Sequence, residues 1–207
     1  MTENALIIFV KNLIKGHVKT RLANTLGDDA AMEIYKQLLK NAHDKIQSLD
    51  VDKIVFYSEF IEDDIWENNL FQKEIQEGND LGERMENAFK SLSADQAGSF
   101  TAGYKKVVIV GTDCPGINKD ILEDGFLKLN NSDIVIGPAT DGGYYLLGMK
   151  NMYSFLFQKI KWGTDTVLQQ TIDLCNRNQL SYFLLPELTD IDDEKDLIHL
   201  KNFGFKI

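Results

Sequence analysis

Between Lys11 and Arg21 the chain carries three lysines, one arginine and no acid, a local charge of +4 in a protein whose net charge is −10. Lysine and arginine heads at a helix start, beside backbone N–H groups that already favour an anion, suit the phosphates of a nucleotide. The segment is not a Walker A loop, because Gly16 stands alone and the Gly-Lys-Thr order is missing. A solvated basic loop is the competing reading. The position directly after the apolar run Ala5–Val10 favours phosphate binding, with Lys11, Gly16, Lys19 and Arg21 as its residues.

A second segment, Gly111-Thr112-Asp113-Cys114-Pro115-Gly116, follows the apolar run Val107–Val110. An Asp at the end of a buried strand can hold Mg2+, which takes one or two carboxylates and completes its shell with phosphate oxygens and water. The competing reading is a turn, since Asp, Pro and flanking glycines favour one on backbone grounds alone. Cys114 has no neighbouring His to activate it. Cys175 falls on an apolar helical stripe and reads as core. Further on, Asp141-Gly142-Gly143-Tyr144-Tyr145 lies between two apolar runs and is first of all a turn signal. Read functionally, Gly142 and Gly143 admit a ligand close to the backbone and the two tyrosines flank a sugar or base. Near the end, Asp192 suits the N-cap of a last helix, with Asp193 and Glu194 at its positive end. Asp190 or Asp192 becomes a second metal carboxylate only where one of them meets Asp113.

These segments need a scaffold that gathers the ends of several strands. Ala5–Val10, Lys53–Ser58, Lys105–Gly111, Asp133–Pro138, Tyr144–Met149 and Ser181–Pro186 read as strands. Most are continuously apolar, as in a sheet covered on both faces. Ala30, Ile34, Leu38, Ala42 and Ile46 recur at every fourth position on one face of a long helix. Leu81, Met85, Ala88, Phe89 and Leu92 form a second stripe. Val167, Leu168, Thr171, Ile172 and Cys175 form a third, and Leu197 with Leu200 a last. The alternation implies a largely parallel α/β sheet with right-handed crossovers. In such sheets ligands sit beyond the carboxyl ends of the strands, where the basic loop and Asp113 fall. The loop Ser93–Tyr104, with Gly98 and Gly103, is the softest stretch. No repeat and no Pro/Ser-rich linker divides the chain, so residues 1–207 read as one domain.

Composition narrows the functions available. Hydrophobic content of 43% and charged content of 26% are ordinary globular values. The net charge of −10 argues against nucleic acid or an anionic membrane as a general partner. Two cysteines suit a reducing cytosol, and no apolar run approaches the ~20 residues a membrane helix needs, so the expected location is cytoplasmic.

The blocks taken in order are more specific than any one alone. They are Phe9-Val10-Lys11 with Gly16-His17-Val18-Lys19-Thr20-Arg21-Leu22, Gly78-Asn79-Asp80-Leu81-Gly82-Glu83-Arg84-Met85, and Gly111-Thr112-Asp113-Cys114-Pro115. Pro138-Ala139-Thr140-Asp141-Gly142-Gly143-Tyr144, Trp162-Gly163-Thr164 and Asp190-Ile191-Asp192 follow. This set resembles the glycosyltransferase-like proteins of the nucleotide-diphospho-sugar transferase (GT-A) superfamily. The first and third blocks are also similar to phospholactate guanylyltransferase and to MobA-like nucleotidyltransferases. The resemblance spans essentially the whole chain. It implies a Rossmann-like α/β fold, a mostly parallel mixed sheet flanked by helices on both faces. It also implies a nucleotide over the first half of the sheet and an acceptor over the second. By position, Lys19 and Arg21 would hold donor phosphates, and Lys11, Gly16, Gly82, Thr112, Gly142 and Gly143 would line the nucleotide. Asp113 would hold Mg2+ or Mn2+, with Asp190 or Asp192 as a second metal-facing group. Two departures stand out. Leu13-Ile14 replaces a proline that commonly stiffens the first loop, and Asp141-Gly142-Gly143 replaces the guanylyltransferase Gly-Thr-Gly motif.

The leading expectation is a metal-dependent glycosyltransferase that moves a sugar from a nucleotide-diphospho-sugar to a small-molecule acceptor. Charge on the departing nucleotide would be held by the metal, Lys19 and Arg21, with Asp141 as candidate general base. Tyr144, Tyr145 and Trp162 lean toward a sugar. The alternative is nucleotidyl transfer, in which a substrate phosphate attacks the α-phosphorus and pyrophosphate leaves. From another class comes a non-catalytic sensor that binds nucleotide without turnover.

Overall fold

The computed structural model describes residues 2–92 and 104–205. The stretch 93–103, nearly all of the loop read as softest, lies outside the described residues. Seven strands form one sheet: β1 (Asn4–Val10), β2 (Asp52–Tyr57), β3 (Gln72–Ile75), β4 (Lys106–Val110), β5 (Ile134–Pro138), β6 (Tyr144–Met149) and β7 (Tyr182–Leu184). Their spatial order is β3-β2-β1-β4-β6-β5-β7. β1 pairs in parallel with β2 and β4, β2 with β3, and β5 with β7. β6 runs antiparallel between β4 and β5. The carboxyl ends of the other six strands and the amino end of β6 therefore share one edge of the sheet. The mostly parallel mixed sheet is the one the family resemblance implies.

Alternation along each strand sends its side chains to opposite faces. Leu6, Ile8 and Val10 of β1 point to one face with Val55, Tyr57, Val108 and Val110. There they meet α2 (Asp28–Ile46) and α4 (Lys119–Lys128). Ala5 and Ile7 point to the other face with Ile54, Phe56, Val107 and Ile109. They are covered by α3 (Leu81–Ser91) and α5 (Val167–Arg177). Each fully buried Leu or Ile here contributes roughly 1.5–3 kcal/mol by leaving water. Burial on both faces explains why the central strands read as unbroken apolar runs.

The helices correct the reading in detail. α2 buries Ala31, Ile34, Tyr35, Leu38, Leu39, Ala42 and Ile46, while Ala30 is exposed. Spacing of four drifts around a helix of about 3.6 residues per turn, so a strict fourth-residue stripe leaves the core at one end, here at Ala30. Leu81, at the start of α3, is 48% exposed, whereas Met85, Ala88 and Phe89 are buried. Three elements go beyond the sequence reading. The edge strand β3 is polar (Gln-Lys-Glu-Ile), and α1 (Thr20–Leu26) buries only Leu22. In α4 the helical stripe is interrupted by Gly125, which approaches Leu146 and Leu185. The last helix, α6 (Leu197–Leu200), is four residues long, preceded by a 3-10 turn at Glu194–Asp196.

Candidate active site

The chain leaves β1 through a loop anchored by an asparagine. Asn12 is 2% exposed. It donates to Phe60 O (2.8 Å) and accepts from the backbone N–H of Glu59 (2.9 Å), while its own N–H donates to Ser58 Oγ (3.0 Å). Those bonds tie the basic loop to the segment after β2, and Lys11 N–H donates to Tyr35 Oη at 2.8 Å. Lys19 then turns the chain into α1 with a left-handed backbone (φ 47°), an uncommon conformation for a residue with a side chain. Its carbonyl accepts the first helical bond from Ala23 (2.9 Å). Lys19 Nζ lies 2.5 Å from Asp113 Oδ1 with a side chain only 5% exposed. The contact is an ion pair, since Asp113 Oδ1 is buried without a well-aligned hydrogen bond. The Asp113 side chain as a whole stays 40% exposed, so its other oxygen faces the cavity.

Three of the four loop cations are paired with carboxylates. Lys15 pairs with Asp29 at 2.6 Å, Lys19 with Asp113, and Arg21 Nη1 with Asp192 Oδ2 at 2.6 Å. Asp192 is free for that pair because the turn before α6 is capped by Asp193, which accepts from Lys195 N–H at 2.8 Å. Asp196 in turn accepts from the N–H groups of Asp192 and Asp193. The expected N-cap at Asp192 is thus displaced by one residue. Ile191 N–H donates to Asp113 O (3.0 Å), which seats the Asp190–Asp192 segment beside the end of β4. The Cys114 thiol touches and donates to Asp190 Oδ1. Burial pushes the Asp190 carboxyl up to about 6, and the charges of Asp113 and Asp141 push in the same direction. Burial, then Asp190, holds the Cys114 thiol well above its ordinary value, so it is a protonated donor.

Across the mouth, the β5–β6 connection is a tight turn. Asp141 Oδ1 accepts from Gly143 N–H at 2.8 Å. Gly142 has φ +86°, and a Cβ there would overlap the Asp165 backbone. Its carbonyl accepts from Leu168 N–H (2.9 Å), docking residues 162–167 against the turn. Trp162 stands edge-on to Tyr144 (centroids 6.4 Å, 86°). Its indole fills the space where a Cβ of Gly82 would be. Tyr145 is buried and donates to Pro186 O at 3.0 Å. Together these pieces enclose a cavity of about 550 Å3. Lys11, Arg21, Thr112, Asp113, Asp141, Gly143, Asp190 and Asp192 of the expected set line it. Lys19 opens on an adjoining recess of about 230 Å3 with Arg21, Asp113 and Asp192.

Residues 38–164 match the model of the family described as "Uncharacterized protein conserved in bacteria (DUF2064)". The chain belongs to the DUF2064 family. Two curated relatives are 2-phospho-L-lactate guanylyltransferases, from Methanocaldococcus sp. strain FS406-22 and Methanocaldococcus jannaschii. They are 26% and 27% identical over 185 residues, covering 87% of this chain and 74% and 75% of theirs. A crystal structure of a provisionally assigned nucleotide-diphospho-sugar transferase from Desulfovibrio desulfuricans G20 is 30% identical. It superposes with a TM-score of 0.86 over 98% of this chain and 88% of that one. This DUF2064 chain thus has the GT-A type of Rossmann-like fold that its motifs resemble.

Three expected residues of the DUF2064 chain line neither that cavity nor the adjoining recess. Gly82 lies behind Trp162 and seats the indole rather than a ligand. Gly142 packs on Asp165, and Gly16 sits exposed at the tip of the basic loop with φ +80°. Other lining residues escape the sequence reading. Asp165 directly follows the Trp162-Gly163-Thr164 block, but the sequence reading stops short of it. Gln76 caps the ends of two strands, donating to Val10 O (3.0 Å) and Phe56 O (2.9 Å). The pairing of Cys114 with Asp190 joins sites 76 residues apart, which local sequence does not reveal.

Proposed function

We propose that this protein is a nucleotidyltransferase: the phosphate of a small acceptor attacks the α-phosphorus of a nucleoside triphosphate, and pyrophosphate leaves. The observation that carries this reading is the meeting of the basic loop with Asp113, Asp190 and Asp192 around one cavity at the strand ends. The two guanylyltransferase relatives favour it over glycosyl transfer, the leading expectation from sequence. Lys11, Lys19 and Arg21 bind and orient the triphosphate, whose charge they share. A phosphate nucleophile brings no proton that must be removed at the α-phosphorus, so no general base is needed. Asp141, already held by Gly143 N–H, then serves the acceptor and the turn.

The acidic residues fit a divalent cation. Asp190 is largely buried, and its ionised form is opposed both by burial and by Asp113 and Asp141, a conflict a cation would relieve. Among the described residues no group of three or more His, Cys, Asp or Glu forms a ready-made metal cage. That agrees with Mg2+ or Mn2+, which one or two carboxylates hold together with phosphate oxygens. Asp113 and Asp190 would hold it, and Asp192 would remain with Arg21. When bound, the ion supplies charge neutralisation on the phosphates.

Glycosyl transfer stands as a second reading because the 30% identical structural relative is assigned as a nucleotide-diphospho-sugar transferase. A panel of nucleoside triphosphates and nucleotide sugars, with Mg2+ and phosphate-bearing acceptors, separates the two by leaving group. Pyrophosphate from a triphosphate supports the proposal; a nucleoside diphosphate from a nucleotide sugar supports the second reading. Binding with no turnover indicates a sensor.

A further inference from the structure

The cavity is electrically lopsided. Among the described residues that line it, the cations are Lys11, from the loop after β1, and Arg21, from the start of α1. The part over β5 and β6, where the acceptor lies on the reading above, is walled by Asp141 and Asp165 with Thr164, Tyr144 and Trp162. Trp162 is held between Gly82 and Tyr144, so its ring orientation is fixed before any ligand arrives. A carboxylate on the acceptor would face two carboxylates there with no cation to receive it, and like charges across a contact are selected against. Hydroxyl groups would instead donate to Asp141 and Asp165, and the apolar face of a ring would lie on the indole.

We infer that the acceptor half of this cavity selects a phosphate-bearing acceptor whose body is uncharged and hydroxylated, and rejects phosphocarboxylates of the kind that name its guanylyltransferase relatives. The inference rests on the nucleotidyl-transfer reading and adds the acceptor class to it. In the step, an oxygen of the acceptor phosphate forms a bond to the α-phosphorus. The bond from the α-phosphorus to the bridging oxygen breaks, and pyrophosphate leaves with the electron pair. The product is a phosphoanhydride joining the nucleoside monophosphate to the acceptor. The acceptor phosphate lies toward Arg21, and its body lies on the Trp162 side.

Two matched pairs of acceptors test this, each differing by one carboxylate: glucose 1-phosphate against glucuronic acid 1-phosphate, and glycerol 3-phosphate against 3-phosphoglycerate. Pyrophosphate release is measured with Mg2+ and each of the four common triphosphates. The uncharged bodies are expected to be favoured at least tenfold in kcat/KM. The Asp165→Lys variant should narrow that preference by about tenfold, and Asp165→Asn by less, in the same direction. Preference for the carboxylate-bearing members, or a ratio unmoved in both variants, overturns the acceptor assignment and leaves nucleotidyl transfer standing. No pyrophosphate with any acceptor overturns the nucleotidyl reading, and the inference with it.

Discussion

Lys19 Nζ and Asp113 Oδ1 lie 2.5 Å apart, joining the loop after β1 to the loop after β4 beneath the cavity. The lysine is nearly inaccessible, and its backbone is left-handed where the loop enters α1. Removing it strands a half-buried carboxylate, so Lys19→Ala should cost about 1–3 kcal/mol. That is below the full cost of breaking a buried pair, because Asp113 keeps 40% exposure. Urea denaturation measures this, and an unchanged midpoint would show that the pair adds nothing to folding.

Arg21 offers a contrast. Its pair with Asp192 is well exposed, with side chains 71% and 48% accessible, so Arg21→Ala should change stability by less than about 0.5 kcal/mol. Nucleotide affinity should nonetheless fall about tenfold, the worth of one charge-assisted bond to phosphate. Calorimetric titration with a triphosphate and Mg2+ reads the affinity, and equal affinity in the mutant would return Arg21 to a surface role.

Asp190 predicts a pH signature of folding. Its folded-state carboxyl titrates at about 6, above the usual value, so the native state holds this proton more tightly than the unfolded chain. Stability from this group is therefore present at low pH and declines as pH rises from about 4 to 6, with a slope of at most about 1.4 kcal/mol for each pH unit. Asp190→Asn should flatten that decline. Denaturation curves between pH 4 and 7.5 decide it, and parallel profiles for the two proteins would contradict the buried-carboxylate account.

The family resemblance gives Gly82 to the nucleotide, yet its lack of a side chain serves Trp162. Gly82→Ala must displace the indole, at a cost of about 1–3 kcal/mol for overpacking. The tryptophan emission should shift toward the red, with fully buried Trp66 as an internal reference. An unchanged spectrum would mean that the helix start yields instead.

The parts of the site that sequence makes visible are those where local chemistry and chain position coincide. Asp113 follows an unbroken apolar strand, and the basic loop follows another, so the edge they share is legible from the residues alone. β3 is not, because an edge strand need not be apolar, and its Gln-Lys-Glu-Ile carries no strand signature. α1 escapes because it is short and begins at a left-handed lysine. The N-cap falls one residue away from its expected place: Asp192 and Asp193 are equally good caps by residue type, and the structure caps with Asp193 while Asp192 pairs with Arg21. Pairings such as Cys114 with Asp190, or Gly142 with Asp165, depend on tertiary approach and leave no local trace.

The most direct test of nucleotidyl transfer at Asp113 is the identity of the leaving group, followed in the wild type and in Asp113→Asn. The protein is supplied with Mg2+, nucleoside triphosphates, nucleotide sugars and phosphate-bearing acceptors, and released pyrophosphate and nucleoside diphosphate are quantified together. The account predicts pyrophosphate from a triphosphate, reduced at least a hundredfold by Asp113→Asn, which keeps the side-chain shape and removes its charge. Nucleoside diphosphate released from a nucleotide sugar, or pyrophosphate release that Asp113→Asn leaves intact, would contradict it.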